Sequence, residues 1–496
     1  MINETHEKEG GQSEEQVRAL ERKQFERMTK TPIAKLIISL GIPTTLSMMV
    51  TSLYNLADTY FVSLIGNDSV TAAVSNLLAL MSIIQAIGFT YGMGSGSLIS
   101  RLLGKRDREE ADKTASSAFA IACVSGLLVL LFGFLFLSPL MKLFGAANEA
   151  VLGYSKAYAP YILIAAPFMC MSFVMNNVLR AEGKAVLSMI GLVVGALVNV
   201  GLDPLCIFVF DMGIAGAGLA TCISQIISFC VLLFMFLSGK TVVRLRIKSV
   251  ARKFATYWEI ISTGLPSFWR QILASLCTVF LNQAAATYGG DAAQAALGVV
   301  QKVFMLAFSL SLGIGQGYQP VLGYNYSSKR FARVRSAYLF TLGFSSCVML
   351  VFATVCAVFA PVLMHWFSLS ENATQIGTLT LRLQCIAMPL LPLNFMASVS
   401  YQTLGKKVSA SVLSVSRQGL FYIPSVLVLP RVLELLGVQS CQMVSDILAF
   451  VFAIPFTISF FRMLKRDEVA YEKAKAEGQA FDEVENVSYK EENFGE

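Results

Sequence analysis

Twelve apolar runs divide this chain, each long enough to cross about 30 Å of hydrocarbon as a helix. Their limits fall near 34–64, 71–98, 115–141, 155–178, 186–210 and 214–238, and then near 258–284, 294–320, 336–364, 378–401, 409–430 and 441–463. In lipid every backbone N–H and C=O needs an internal partner, a demand that runs of this length meet as helices. Composition agrees: 14% of the residues are charged, where a soluble domain carries about a quarter. The chain reads as an all-α polytopic membrane protein of twelve transmembrane helices.

The short loops orient it. Loops 101–114, 179–185, 239–257, 325–335 and 402–408 hold nineteen Lys and Arg residues, whereas the alternate loops hold only Lys142 and Arg431. Basic loop residues are retained in the cytoplasm, so the first set of loops and both termini are expected there. The formal charge of +7 then reflects topology, not a nucleic-acid partner. The first thirty residues are charged and helix-prone without an apolar core, which reads as a cytoplasmic leader and not a cleavable signal. From Asp467 to Glu496 ten acidic residues face three basic ones. Leader and tail are both expected to be solvated extensions.

One short pattern occurs twice, 223 positions apart: Gly41-Ile42-Pro43 as Gly264-Leu265-Pro266, Gly66-Asn67-Asp68 as Gly289-Gly290-Asp291, and Gly92-Met93-Gly94 as Gly315-Gln316-Gly317. A shift of one residue aligns Gly183-Lys184 with Gly405-Lys406. With six spans per copy the second starts on the same side as the first, so the repeats are parallel about an axis along the membrane normal. The expected parts are a leader (1–32), a first half (33–238), a basic linker (239–257), a second half (258–463) and an acidic tail (464–496). Substrate sites of such transporters lie at the seam between copies.

Several motifs exclude other chemistry. Two histidines, His6 and His365, cannot build a His-rich metal site. Gly239-Lys240-Thr241 lacks the glycine a phosphate loop needs five positions earlier, where Phe234 stands. Gly92, Gly94 and Gly96 lie in a span with no strand before them, so close helix packing is the better account than dinucleotide binding. Asn67-Asp68-Ser69 and Asn372-Ala373-Thr374 match glycosylation acceptors, relevant only in a eukaryotic secretory host. The ten cysteines sit in or beside apolar spans without paired spacing and read as buried thiols. Nothing here hydrolyses ATP and no cofactor is expected; transport must draw on an ion gradient or on the substrate's own.

Ionisable groups deep in a span are costly and mark function. Asp58, Asp203 and Thr221 each lie six or seven residues from the outer ends of spans 1, 5 and 6, roughly 10 Å below the surface. Asn199 precedes Asp203 by one helical turn and shares its face. Two carboxylates, an amide and a hydroxyl at one depth make a hard-oxygen cage for Na⁺, or for a shared proton. At the repeat offset Asp58 meets Leu281 and Asp203 meets a position near Ser425, so the second copy lacks the acids. Asp446 near the outer end of span 12, with Arg270 and Arg417 in spans 7 and 11, are equally suited to pairing with neighbours or to a substrate role. Asn176, Arg270, Gln271, Asn282 and Gln283 are the candidate cavity residues; packing is the competing role for the four amides. Twenty Met and thirty-five Phe suit a cavity that repacks around varied apolar guests.

At this point the chain resembles the multidrug and toxic compound extrusion (MATE) family. The resemblance rests on Leu56-Ala57-Asp58-Thr59 after a Gly-x-Pro, Leu179-Arg180-Ala181-Glu182-Gly183, Asn199-Val200-Gly201-Leu202-Asp203-Pro204 and Gly213-Ile214-Ala215-Gly216-Ala217-Gly218-Leu219-Ala220-Thr221, and covers about residues 30 to 465. It implies two V-shaped lobes alternating between outward and inward states, and efflux of cationic amphipathic drugs in exchange for H⁺ or Na⁺. It further implies a cation site at Asp58, Asn199, Asp203, Thr221 and the backbone carbonyl of Ala217. A different branch carries acids in spans 7 and 10, where this chain has Arg270 and uncharged residues around Met388, so it is similar to the DinF-like branch with its MepA-type pumps.

The expected protein is a monomeric antiporter of the bacterial inner (plasma) membrane, conferring antibiotic resistance, with cationic, amphipathic drugs and membrane lipids as partners and no nucleic acid. A lipid-linked oligosaccharide flippase is the nearest rival, since its pyrophosphate needs a cationic cavity that Arg270 and Arg417 would begin. A passive channel has no need of a one-sided acid cage, and an enzyme acting on lipid would need a catalytic cluster that the short loops lack.

Overall fold

A computed structural model describes residues 17–65, 68–144, 148–367 and 370–477. The start of the leader, Gly66 and Asn67 with the glycosylation acceptor there, and the tail beyond residue 477 lie outside the described residues. Among these residues the chain is helical without strands. A leader helix α1 (17–30) is followed by α2 (Ile33–Ser63), α3 (Asp68–Lys105), α4 (Arg108–Leu135), the short α5 (Leu137–Leu143), α6 (Glu149–Ala181), α7 (Ala185–Pro204) and α8 (Ile214–Leu237). The second half comprises α9 (Phe254–Ser327), α10 (Phe331–Val358), the short α11 (Ala360–Trp366), α12 (Glu371–Ala387), α13 (Leu391–Thr403), α14 (Lys407–Val415) and α15 (Ile423–Ala476).

Ten described segments are long and apolar enough to cross a membrane, two of them 74 and 70 residues in length. At 1.5 Å per residue such a segment would run about 100 Å, three bilayers deep. Each instead turns back at a residue with positive φ, Gly290 (φ 61°) in α9 and Glu434 (φ 49°) in α15. Dividing the two there yields the twelve spans that the apolar runs predict. Their ends differ where polar residues extend the helices: α3 reaches Lys105 and α15 reaches Ala476, well past the apolar limits.

The duplication is visible in the backbone. Arg106 and Lys329, 223 apart, are both left-handed (φ 63° and 58°), as are Gly183 and Gly405 (φ 79° and 80°). Each closes its helix with the same pair of bonds: Asp107 N to Leu102 O (2.9 Å) with Arg106 N to Leu103 O (3.2 Å), and Arg330 N to Asn325 O (2.8 Å) with Lys329 N to Tyr326 O (2.9 Å). This six-to-one, five-to-two pattern stops a helix sharply and consumes its last carbonyls.

The repeated glycines form the seam. A methyl group on Gly94 would lie 2.1 Å from Ile260 O and 3.0 Å from Gly264 N, and one on Gly317 would lie 2.7 Å from Gly41 Cα. Gly94 is the repeat partner of Gly317, and Gly41 of Gly264, so one contact is the other turned about the pseudo-twofold axis. Ser100 and Gly323, themselves repeat partners, meet on that axis, where a methyl on Gly323 would fall 2.1 Å from Ser100 Oγ. Small residues let helices approach this closely in lipid, where packing rather than hydrophobic exclusion drives association. All these approaches lie in the half of the bundle that bears the basic loops. Ser52 and Ser309 add a hydroxyl bond across the seam at 2.7 Å.

Leader and tail differ from the expected solvated extensions over their described lengths. In α1, Val17, Gln24, Met28 and Thr29 are buried. Gln24 donates to Glu182 O in the first half, while Asn325 (3.1 Å) and Arg330 (2.8 Å) of the second donate to Met28 O and Thr29 O. The tail end of α15 docks too: Tyr326 donates to Asp467 (2.9 Å) and Arg335 pairs with Glu468 at 3.3 Å. The apolar face of α1, the Tyr326 hydrogen bond and the Arg335 ion pair supply partners that charge content alone conceals. The basic linker is likewise pinned. Glu182, fully buried, accepts from Val242 N (3.0 Å) and Val243 N (2.9 Å) and pairs with Lys184 at 3.1 Å. Burial pushes its carboxyl above the usual range, opposed by Lys184 and those two N–H groups.

Candidate functional site

The cage residues meet because two local sequences bend the same corner of the first half. Pro204 is the last residue of α7 but does not break the chain's helical path, which continues as a π-turn, Leu205–Val209. Proline removes one backbone donor, and the wider turn absorbs the mismatch. On α8 the Gly-rich start packs against that turn: a methyl on Gly216 would fall 2.5 Å from Cys206 O, and one on Gly218 2.9 Å from the Tyr161 ring. Only glycine admits this approach, and at the same corner Thr221 of α8 meets Asn199 of α7.

Asn199 Nδ2 donates to Asp203 Oδ1 and to Thr221 Oγ1, both at 3.4 Å, joining α7 to α8. Asp203 and Ala217 are 0% exposed, Asn199 1% and Thr221 2%. Asp58 comes from α2, less deeply covered, and lies within electrostatic reach of Asp203. Three oxygens in this group are buried without a hydrogen-bond partner: Asp58 Oδ1, Asn199 Oδ1 and Asp203 Oδ2. All are acceptors, and buried acceptors left unpaired are costly. A small cation or a proton is the complement such a set lacks. The Ala217 carbonyl lies one helical turn before Thr221, so it serves the α8 ladder and has one lone pair left. Among the described residues no cluster of three His, Cys, Asp or Glu exists, so a transition-metal site is not what the cage resembles.

Sequence reading overlooked the cage's aromatic wall. Tyr158 of α6 lies against Thr221, and Tyr54 of α2 against Gln225, both beside the two aspartates. Tyr54 stands one turn before Asp58, a spacing that offered the signal.

The candidate cavity residues separate. Asn176 is buried in packing, its amide oxygen accepting from Ser188 Oγ at 2.9 Å. Gln271 reaches across the seam to Gln85 Oε1 at 3.5 Å. Asn282 is half-buried and Gln283 exposed, both away from the second-half cavity. Arg270 does line a small cavity, of about 20 Å³, with Phe308, Ser311, Phe395 and Arg417. Arg417 also pairs with Asp446, Nε to Oδ1 at 2.8 Å, and Gln442 donates to the same oxygen at 2.9 Å. The glycine of Leu179-Arg180-Ala181-Glu182-Gly183 caps a helix, while its Arg180 donates to Gln316 in the other half and its Glu182 holds the linker. That motif is scaffold.

A family model, MatE, matches residues 43–205 and again 266–428. The two matched stretches are separated by the repeat offset itself, so one model describes both halves. Two curated relatives are the Multidrug export protein MepA of Staphylococcus saprophyticus, 24% identical over 450 residues (90% of this chain, 97% of the relative), and that of Staphylococcus aureus strain MRSA252, 25% identical over 429 residues (86% and 93%). Among solved structures, a MATE in complex with MaL6 superposes with a TM-score of 0.84 at 27% identity, covering 90% of this chain and 99% of that one. A MOP superfamily transporter from Pyrococcus furiosus, whose reverse pocket polarity is held to suggest a different function, matches with a TM-score of 0.84 at 25% identity over 89% and 99%. The two-repeat, V-shaped helical bundle is therefore the fold of this chain, which belongs to the MatE family and is a membrane transporter, not an enzyme.

Proposed function

We propose that this chain is a secondary active multidrug efflux pump that exports amphipathic cationic compounds in exchange for H⁺ or Na⁺. One observation carries the reading: three unpartnered, buried acceptor oxygens on Asp58, Asn199 and Asp203 converge in the first half and have no counterpart at the same places in the second. Export by the staphylococcal relatives supports the drug side of the exchange. The basic loops support a plasma-membrane protein with both termini cytoplasmic. It works as a monomer, the two halves (33–238 and 258–463) moving about the linker.

A cation or proton entering from outside removes negative charge at Asp58 and Asp203. The π-turn after Pro204 and the Gly-rich start of α8 make that corner the compliant part of the half, so neutralisation is relayed to α2, α7 and α8. Expulsion of drug from between the halves follows, then opening of the glycine seam, cation release and drug reloading. Cation and drug must favour opposite states of the bundle for the exchange to be coupled. Ethidium efflux from energised vesicles, with Na⁺ and pH gradients imposed separately, tests this: efflux driven by one gradient identifies the ion, and efflux indifferent to both sinks the reading.

A further inference from the structure

A groove of about 570 Å³ lies between the end of α13, the start of α14 and the last span of α15. That volume is within the range of about 300–1,000 Å³ usual for ligand sites. Pro455, Phe456, Ser459, Arg462, Met463 and Arg466 of α15 line it, spaced so that they share one face of the helix. Facing them are Tyr401 of α13, Lys406 in the turn that follows, and Ser409 of α14. Tyr401 ties the two walls together, its hydroxyl donating to Phe456 O at 2.9 Å.

Polarity changes along the groove. Pro455 and Phe456 form its deep end, Ser459 stands midway, and Arg462 and Arg466 reach the end beside the basic loop that carries Lys406. At 1.5 Å per residue, Arg462 is about 10 Å along the helix from Phe456. Among the described residues none that lines the groove is acidic. Arg466 meets Asp467 at 3.6 Å, and that carboxylate also accepts from Tyr326 at 2.9 Å, so it offsets one of three positive charges. The flanks are built for lipid: Val408 beside Ser409, and Ile454 and Ile458 beside Pro455 and Ser459, expose large apolar side chains. A free inorganic anion would meet the cations and leave the apolar end unused. A zwitterionic head would bring its own ammonium against three cations. An anionic head on an acyl chain matches both ends, and basic pockets between spans on this side of a membrane bind such heads.

We infer that this groove holds one anionic phospholipid, its phosphodiester between Lys406, Arg462 and Arg466 and an acyl chain along Met463, Phe456 and Pro455. The inference takes from the proposed orientation only which leaflet supplies the lipid. It is separate from the cation-exchange reading and does not depend on it.

Native mass spectrometry of the detergent-purified full-length protein tests it, titrating dioleoyl phosphatidylglycerol or dioleoyl phosphatidylcholine. Wild type should bind its first phosphatidylglycerol roughly tenfold or more tightly than phosphatidylcholine. At about fivefold per basic residue, Lys406→Gln/Arg462→Gln should weaken that binding roughly thirtyfold and leave phosphatidylcholine unchanged. Ser459→Trp, which fills the groove and keeps every charge, should lose the first phosphatidylglycerol as well. Arg252→Gln/Lys253→Gln removes two exposed cations from the linker and should bind as wild type does. Equal affinity for the two lipids, binding unaltered in both groove variants, or the same loss in the linker variant means diffuse attraction to the basic side and overturns the inference. Displacement by inorganic phosphate at matched concentration means a free-anion site and overturns it too. Binding should persist in Asp58→Asn, which separates its failure from failure of the cation cage.

Discussion

The two halves share a backbone and differ in polarity. The left-handed helix ends at Arg106 and Lys329, and the glycine contacts of Gly94 with Gly264 and Gly317 with Gly41, coincide across the repeat. Where the first half places Asp58 and Asp203, the second has Leu281 and a position near Ser425; where the second places Arg270 and Arg417, the first has Ser47 and Gly195. The repeat persists where residues carry contact and diverges where they carry charge. The duplicated bundle thus pairs two like scaffolds, of which only the first carries Asp58 and Asp203 at these places.

Several substitutions break or sharpen that contrast. The largest effect falls on the acids: Asp58→Asn or Asp203→Asn should reduce gradient-driven ethidium efflux to the level of empty vesicles, with the purified variants still folded by circular dichroism. Next come the seam glycines. A methyl or larger group on Gly94 meets Ile260 O, and such overpacking costs about 1–3 kcal/mol, a shift of roughly 5- to 150-fold against the closed seam. Gly94→Leu should therefore raise amide hydrogen exchange around residues 90–104 and 260–266, and Gly317→Leu should do the same as its repeat partner; an effect in one alone contradicts the pseudo-twofold seam. For the second half, Arg417→Gln leaves Asp446 buried and unpaired and should cost about 3–5 kcal/mol in unfolding measurements, most of it recovered by adding Asp446→Asn. Smallest is Ser52→Ala, which removes one hydroxyl bond to Ser309 and should cost about 1 kcal/mol.

Much of this was legible in the sequence. Apolar run length predicted the spans, and the fixed offset predicted the paired halves, because both follow from constraints that act locally along the chain. Asn199 and Asp203 could be placed together since a single helical turn separates them. Their union with Thr221 depended on how closely Gly216 approaches the π-turn, which the glycines suggest and only the packed structure displays. The basic cavity was harder to foresee. Arg270 and Arg417 are 147 positions apart, and nothing local says that they share one space or that Asp446 neutralises only one of them. Charge content also misled for leader and tail, where a few buried residues such as Met28, and ion pairs such as Arg335–Glu468, outweigh a polar composition.

The central claim is that the cage of the first half carries the ion that drives export. Counter-ion flux in proteoliposomes during ethidium export measures this directly, following ²²Na⁺ uptake and proton uptake in parallel. Wild type should move one of the two ions against ethidium in fixed proportion, and Asp58→Asn/Asp203→Asn should move neither. Export continuing in the double variant with its counter-ion flux intact would contradict the account.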